Sequence, residues 1–329
     1  MAENKYGTQS AQGTKIRIPG RENLMLVILT AACIVIFTIL KPSFFSPDSF
    51  GSIARQIPEI GLFSMAMMLP MLVGGIDLSV IASANLGSVL MSMYMTGRIE
   101  KGSENIPVML TALLICMVVC IAVGFLNGLL VAVTRIPAML VTLGVQMMLT
   151  GISLGITRGG TLSGYPASFV SIGNGVTFGI PNQFLLFVAA AAILIILLQK
   201  TSFGTKLKMY GSNPTATVYS GVSDISLLIK THMISGAYVG LAAIIMCSRL
   251  TSASAGAAAN YLMRAILIAV LGGVDPNGGR GKVSGILWAV LLFQCMATGL
   301  NILRVNSYIV IALYGVLLLL SVFARTRAR

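Results

Sequence analysis

Gly74-Gly75-Ile76-Asp77-Leu78-Ser79 lies at the seam of two long apolar segments, one ending near Val73 and the next beginning near Val80. Charge is scarce in this chain: Asp and Glu total 9 in 329 residues, while hydrophobic residues make up 56%. A carboxylate beside hydrocarbon is costly, so it is expected to face a protein interior or a wet cavity. The paired glycines predict a break in the helix that frees backbone polar groups. Such breaks are tolerated at membrane depth only inside protein or along a water-filled path. From the hexapeptide alone, a capped loop at the membrane surface stands equally beside that reading.

Working outward, apolar runs of spanning length recur along the chain, roughly twenty residues being needed to cross a bilayer. Mean hydropathy is +0.92 and charged residues are 9%, well below the roughly 25% of soluble domains. The expected class is an all-α polytopic membrane protein. The net charge of +13 does not point to nucleic acid, because the basic residues lie scattered between apolar runs, as in cytoplasmic loops facing anionic lipid headgroups. The polar tail carrying Lys5, Lys15, Arg17 and Arg21 leads into a full-length span with no small-residue cleavage site, so it does not read as a signal peptide.

Ten segments are expected: Leu24–Leu40, Ile57–Val73 (kinked at Pro70), Val80–Met95, Pro107–Val133, Met139–Ile156, Phe184–Gln199, Ile225–Cys247, a short Tyr261–Leu271, Ser284–Leu300 and Tyr308–Ala324. Polar loops fall at Thr157–Gln183 and Lys200–Asp224, and short or broken helices at Gly74–Asp77 and Gly272–Lys282. The chain thus divides into an N-terminal tail (1–23), one transmembrane domain (24–324) containing a cytoplasmic loop (200–224), and a basic tail (325–329). Placing both termini in the cytoplasm puts thirteen basic residues inside and seven outside, with Lys230 and Arg264 within or at the ends of spans. The positive-inside rule favours that orientation.

Glycine pairs Gly124/Gly128, Gly151/Gly155 and Gly236/Gly240 each place two small residues on one helix face, and intramolecular packing is their expected use. Asn127, between the first pair, needs an interhelical partner. Cys33, Cys116, Cys120, Cys247 and Cys295 fall in or beside apolar runs and read as small hydrophobes. His232, beside Lys230 near a span start, reads as a snorkelling or capping residue. No phosphate loop is present, since Gly281-Lys282 is followed by Val283 without the upstream glycine. One histidine and few carboxylates leave no catalytic residue, metal site or proton relay to assign. A transport pathway driven by another subunit fits better than an enzyme; an ion-coupled secondary transporter and a non-transporting membrane scaffold are the alternatives.

The motifs form an ordered series. After Gly74–Ser79 come Gly124-Phe125-Leu126-Asn127-Gly128, Ile136-Pro137 with Thr142-Leu143-Gly144, and Thr201-Ser202-Phe203-Gly204. Then follow Gly211-Ser212-Asn213-Pro214, Ser220-Gly221-Val222, Leu271-Gly272-Gly273 through Gly278-Gly279-Arg280-Gly281, and Gly299-Leu300-Asn301. This series resembles the permease subunits of bacterial ATP-binding-cassette importers for ribose, galactose and autoinducer-2. The resemblance implies a multi-pass inner-membrane subunit forming the pathway for a monosaccharide or similar small polar solute. It implies partners: an ATP-binding subunit that holds ATP and magnesium, a periplasmic substrate-binding protein, the lipid bilayer, and a second permease copy, identical or different. No cofactor is expected on this chain. Gly211, Asn213, Pro214, Ser220 and Gly221 would couple to the ATPase. Gly74, Gly75, Asp77, Ser79, Asn127, Gly272, Gly273, Asp275 and Asn301 would shape the pathway or its helix breaks. The echo of Gly74-Gly75-Ile76-Asp77 in Gly272-Gly273-Val274-Asp275 suggests an internal repeat of broken helices. Ile81 stands where relatives often carry glycine, and Thr215–Tyr219 departs from the usual coupling pattern, which keeps a heteromeric pairing open.

Overall fold

The computed structural model describes residues 21–99, 104–306, 308–316 and 319. The N-terminal tail before Arg21, the basic tail 325–329 and most of the tenth segment beyond residue 316 lie outside the described residues. In chain order the helices are α1 (Arg21–Leu40), α2 (Pro47–Leu72), α3 (Val80–Thr96), α4 (Ile106–Thr134), α5 (Ala138–Thr157), α6 (Ala167–Asn174), α7 (Asn182–Lys200), α8 (Ser202–Ser212), α9 (Pro214–Tyr219), α10 (Asp224–Leu250), α11 (Tyr261–Leu271) and α12 (Val283–Ile302). Residues 308–316 are also helical. Two small antiparallel pairs, Leu162–Ser163 with Ser252–Ala253 and Val176–Thr177 with Ile180–Pro181, tie the connecting loops. The chain is an all-α polytopic membrane protein.

Among the described residues six helices, α1, α4, α5, α7, α10 and α12, are long and apolar enough to cross a membrane. Their outward faces carry exposed Ile28, Val35, Leu114, Val118, Met147 and Ile193, the composition a lipid-facing surface requires. α2 is different. It starts ten residues earlier than its apolar run, because the polar opening Pro47–Gln56 is helical too, capped by Ser46 accepting from Ser49. From Ile57 to Leu72 it is buried on every side, and it packs on α7, α10, α11 and α12. A helix apolar around its whole circumference belongs at the centre of a bundle.

α4 and α10 share the most extensive helix–helix contact among the described residues. A Cβ at Gly124 would collide with the His232 carbonyl, and one at Gly236 with the Cys120 carbonyl. Glycines on both helices therefore let the two backbones meet directly. Gly151 and Gly155 do not share this use. Among the described residues nothing lies within 4 Å of a Cβ at either position, because that face of α5 points away from the bundle. The histidine expectation is also corrected: His232 is 1% exposed, inside α10 against α4, with Nδ1 2.9 Å from the Leu228 carbonyl. Lys230 sits near the helix start, but α10 begins at Asp224, which carries residue 232 two turns into the core. All five cysteines are free, four of them buried, as expected for small hydrophobes.

The two polar loops also contain structure. Residues 157–183 hold α6, whose Phe169 carbonyl accepts from the Ser248 hydroxyl at the end of α10. At the opposite end of the bundle, residues 200–224 fold into α8 and α9, joined at Asn213, which caps α9 by accepting from the Ala216 amide at 2.9 Å.

α11 is too short to span. Its 11 residues rise on the order of 16 Å at 1.5 Å each, about half a hydrocarbon core. Irregular chain from Thr251 brings it to depth alongside α2, and Tyr261 at its start stacks edge-on against Phe63 with centroids 6.1 Å apart.

Candidate functional site

α2 ends where the sequence places its break. The Gly75 amide reaches back to the Pro70 carbonyl at 3.0 Å, and Gly74 takes a left-handed φ of +84°. The five-residue reach with a glycine in the left-handed region is the Schellman way of closing a helix. α11 ends likewise: the Val274 amide reaches the Ala269 carbonyl at 3.0 Å, and Gly273 has a φ of +94°. After each cap an aspartate turns the chain. Asp77 Oδ1 accepts from the Ser79 amide at 2.9 Å, and Asp275 Oδ1 from the Asn277 amide at 3.0 Å. The echo in sequence is therefore an echo of geometry, although the left-handed glycine is the first of the pair in one case and the second in the other.

The two aspartates differ in depth. Asp275 is half-buried, whereas Asp77 is 4% exposed. Asn127 of α4 donates through Nδ2 to Asp77 Oδ2 at 3.2 Å and to Ser79 Oγ at 2.7 Å, and the Ser79 hydroxyl donates to Asp77 Oδ1 at 2.7 Å. Thr142 of α5 closes the turn, accepting from the Leu78 amide at 3.1 Å and donating to the Ala138 carbonyl at 2.8 Å. The network joins the α2–α3 seam to α4 and α5. Gly128 lets Asn127 stand this deep: a Cβ there would lie 2.7 Å from Ile229 Cα of α10. Asn127 is thus the interhelical polar residue the sequence calls for, and its partner is the carboxylate of the opening hexapeptide. Replacing Asn127 with leucine removes the amide donor to a buried carboxylate, an expected cost of about 1–3 kcal/mol. Thermal unfolding of the purified protein in detergent would show it; an unchanged Tm would rule out this role.

The seam also meets the segment that carries α8 and α9. The Gly279 amide donates to the Leu72 carbonyl at 2.9 Å, tying the α11–α12 turn to the last residue of α2. Gly211, near the end of α8, fits against both: a Cβ there would collide with the Leu72 oxygen and the Gly279 nitrogen. A Cβ at Gly278 would lie 2.7 Å from the Gly211 oxygen and 2.9 Å from the Gly74 nitrogen. Three glycine motifs far apart in sequence therefore share one point of backbone contact. Tyr210 is beside it, its phenol pushed above the usual value by burial and then by the Asp224 carboxylate, with Arg135 pulling the other way. α8 thus packs against α7 and the ends of α2 and α10.

Gly74, Gly75, Asp77, Ser79, Asn127, Gly272, Gly273 and Asp275 gather at this end of the bundle, and Gly211 and Asn213 adjoin them. Pro214, Ser220 and Gly221 are exposed on α9 and its following turn, and Ser220 with Asn213 lines a groove of ≈ 610 Å³ whose other walls come from α7 and α8. Asn301 stands apart, at the far end of α12. The residues that sequence reasoning passes over are Glu59 and Arg249. Glu59 is 1% exposed, and its Oε2 accepts from Arg249 Nε at 2.6 Å across 190 residues of sequence. No local pattern pairs them; the one signal was a lone carboxylate inside an apolar run. Among the described residues no group of His, Cys, Asp and Glu could hold a metal ion.

The family model described as the branched-chain amino acid transport system permease component matches residues 49–322. The ribose import permease protein of Bacillus subtilis (strain 168) is 33% identical over 291 residues, covering 88% of each chain. The ribose import permease protein of Escherichia coli (strain K12) is 29% identical over 324 residues, 96% of this chain and 97% of the relative. An autoinducer 2 import system permease protein of Escherichia coli (strain SMS-3-5 / SECEC) is 26% identical over 309 residues, covering 92% and 91%. No solved structure matches.

Proposed function

The chain belongs to the family of branched-chain amino acid transport system permease components, and we propose that it is the membrane subunit of an ATP-driven importer for a monosaccharide. The relatives named for ribose, allose and xylose or arabinose import favour a pentose or hexose. In this reading a binding protein on the outer face delivers the solute. An ATP-binding subunit, which holds the nucleotide and magnesium, docks on α8 and α9 at the cytoplasmic face of the bacterial inner membrane. A second permease copy, identical or related, completes the pathway.

The observation that supports this most directly is the contact at Gly211. A partner moving α8 and α9 would push without slack on the end of α2 and on the turn after α11, because backbone touches backbone there. The buried network around Asp77 then shapes the break rather than holding solute, since its carboxylate is occupied by Ser79 and Asn127.

The test uses the whole complex in membrane vesicles. Gly221 has a φ of +82° and open space around it; valine there strains the turn after α9 by roughly 1–2 kcal/mol without entering the core. Uptake of ribose, allose or xylose should fall at least tenfold while the chain stays in the membrane and stimulated ATP hydrolysis drops to its idle level. Uptake at the unmodified rate would overturn the docking site. Solute accumulation driven by an ion gradient in vesicles lacking the ATPase would overturn the importer reading itself.

A further inference from the structure

At the end of the bundle opposite α8 and α9, a cleft of ≈ 430 Å³ opens between the start of α2, α11, the end of α12 and the helix at 308–316. Its polar lining comes from Asp48, Ser52, Gln56, Arg264, Thr298 and Asn301. Arg264 is the feature that demands an explanation. It is the one charged residue of α11, Tyr261-Leu262-Met263-Arg264-Ala265-Ile266-Leu267-Ile268-Ala269-Val270-Leu271, in a half-length helix held at membrane depth. An ionisable group in such a place faces a cavity and marks a solute path more often than it serves packing. Its guanidinium is held between two rings, 5.5 Å from the Tyr261 centroid and 5.3 Å from that of Tyr314. Both rings stand within cation–π reach and hold the head group at the cleft, leaving its N–H donors for hydrogen bonding.

The rest of the lining suits the same kind of ligand. Gln56 and Gln294 are already joined, Nε2 of Gln294 donating to Oε1 of Gln56 at 3.0 Å and standing 3.3 Å from Thr298 Oγ1. That pins the Gln56 amide and the Thr298 hydroxyl on one wall, with the buried Gln294 holding them from behind. Asn301, the asparagine of the Gly299-Leu300-Asn301 motif, stands one turn further along α12. Donors and acceptors are thus mixed on a wall that also carries Tyr314 and aliphatic side chains. A solute presenting many hydroxyls around an apolar ring face matches this, whereas an anion would meet Asp48. The volume falls within the usual range for small-ligand pockets. Discontinuous helices at mid-membrane are where transporters place such sites.

We propose that this cleft is the solute-receiving subsite of the pathway, taking a hydroxyl-rich ring, with Arg264 as its central donor. The proposal rests on the reading of the chain as a monosaccharide importer. It also separates two tasks at opposite ends of α2: the outer half receives solute, and the inner end takes the push from α8.

The test is protection of an introduced thiol. Ser52→Cys is made in the full complex in spheroplasts, where native cysteines are buried or half-buried, and a membrane-impermeant maleimide is applied from outside. Ribose, allose and xylose are titrated as protectants. Labelling from outside should be blocked by whichever of these sugars the unmodified complex imports. Adding Arg264→Gln or Arg264→Lys should raise the half-protecting concentration at least tenfold, with the labelling rate in the absence of sugar unchanged, which shows an intact cleft. Lysine should not rescue, because the stacked fork is lost. If the unmodified complex imports one of these sugars and that sugar gives no protection, or Arg264→Gln leaves the half-protecting concentration unchanged, the subsite is overturned and the importer reading stands. If the complex imports none of the three, the monosaccharide reading fails and the subsite falls with it.

Discussion

Valine in place of Gly211 should abolish coupled transport: uptake should fall by more than a hundredfold, to the level of vesicles lacking the complex. The reason is geometric. A Cβ at Gly211 would collide with the Leu72 carbonyl oxygen and the Gly279 nitrogen, and these two atoms are themselves hydrogen-bonded at 2.9 Å. Leaving that carbonyl and amide unpaired costs about 1–3 kcal/mol, and forcing atoms into a filled space costs typically 1–3 kcal/mol more. α8 would be levered away from the end of α2. Since the penalty could instead be met by general unfolding, the readout includes Tm in detergent and the abundance of the chain in the membrane. The expected pattern is a folded chain that still recruits the ATPase but no longer transmits its cycle. Alanine should act in the same direction, because the collision is with its Cβ. A Gly211→Ala variant with normal uptake would show that α8 does not drive the helix breaks through this contact.

How much of this was legible beforehand depends on whether a feature is local. The apolar runs announce α1, α3, α4, α5, α7, α10, α11 and α12 because lipid allows few polar residues between caps, and their ends fall close to the expected ones. Gly74–Asp77 and Gly272–Asp275 are legible as breaks for the same reason: paired glycine followed by aspartate carries its own cap and turn. α2 is the exception. Its first ten residues mix polar with apolar side chains, and Asp48, Ser49, Ser52 and Gln56 line a cleft rather than lipid, so the apolar run shows only the buried part of the helix. His232 is misplaced because Lys230 nearby suggests a surface role, whereas residue 232 lies on the face of α10 that packs on Gly124 and Gly128 of α4. The use of Gly151 and Gly155 could not be told from that of Gly124 and Gly128, as spacing says nothing about which face meets a neighbour. Above all, the meeting of Gly74, Gly211 and Gly278 is a tertiary fact. Each motif was visible, but not that they are one contact.

The second large effect is expected at Arg249. Its guanidinium donates through Nε and Nη2 to one oxygen of Glu59, and its side chain keeps 24% exposure while that of Glu59 keeps 2%. The other oxygen, Oε1, has no hydrogen-bond partner among the described residues, so the arginine is the main compensation for a carboxylate sealed inside α2. Arg249→Met should therefore destabilise the protein by about 3–5 kcal/mol, the usual consequence of stranding one half of a buried pair. Glu59→Gln should cost much less, because the amide carries no charge to strand, its oxygen can still accept from the guanidinium, and Arg249 is already partly exposed where it stands. The double variant decides the matter: with both charges gone, most of the lost stability should return. A double variant as unstable as Arg249→Met alone would mean that the arginine acts through packing. The pair has consequences beyond stability. Arg249 Nη2 also reaches the Tyr261 hydroxyl at 3.4 Å, and the Tyr261 ring carries Arg264. The ion pair thus fixes the start of α11 against α2 and α10, and through one aromatic ring it sets where the guanidinium in the outer cleft can stand. Arg249→Met should accordingly weaken solute protection of the cleft even under conditions where the chain remains folded, whereas the Glu59→Gln variant, which keeps Arg249 beside Tyr261, should leave that protection within about threefold of the unmodified protein, under 1 kcal/mol at 1.4 kcal/mol per factor of ten.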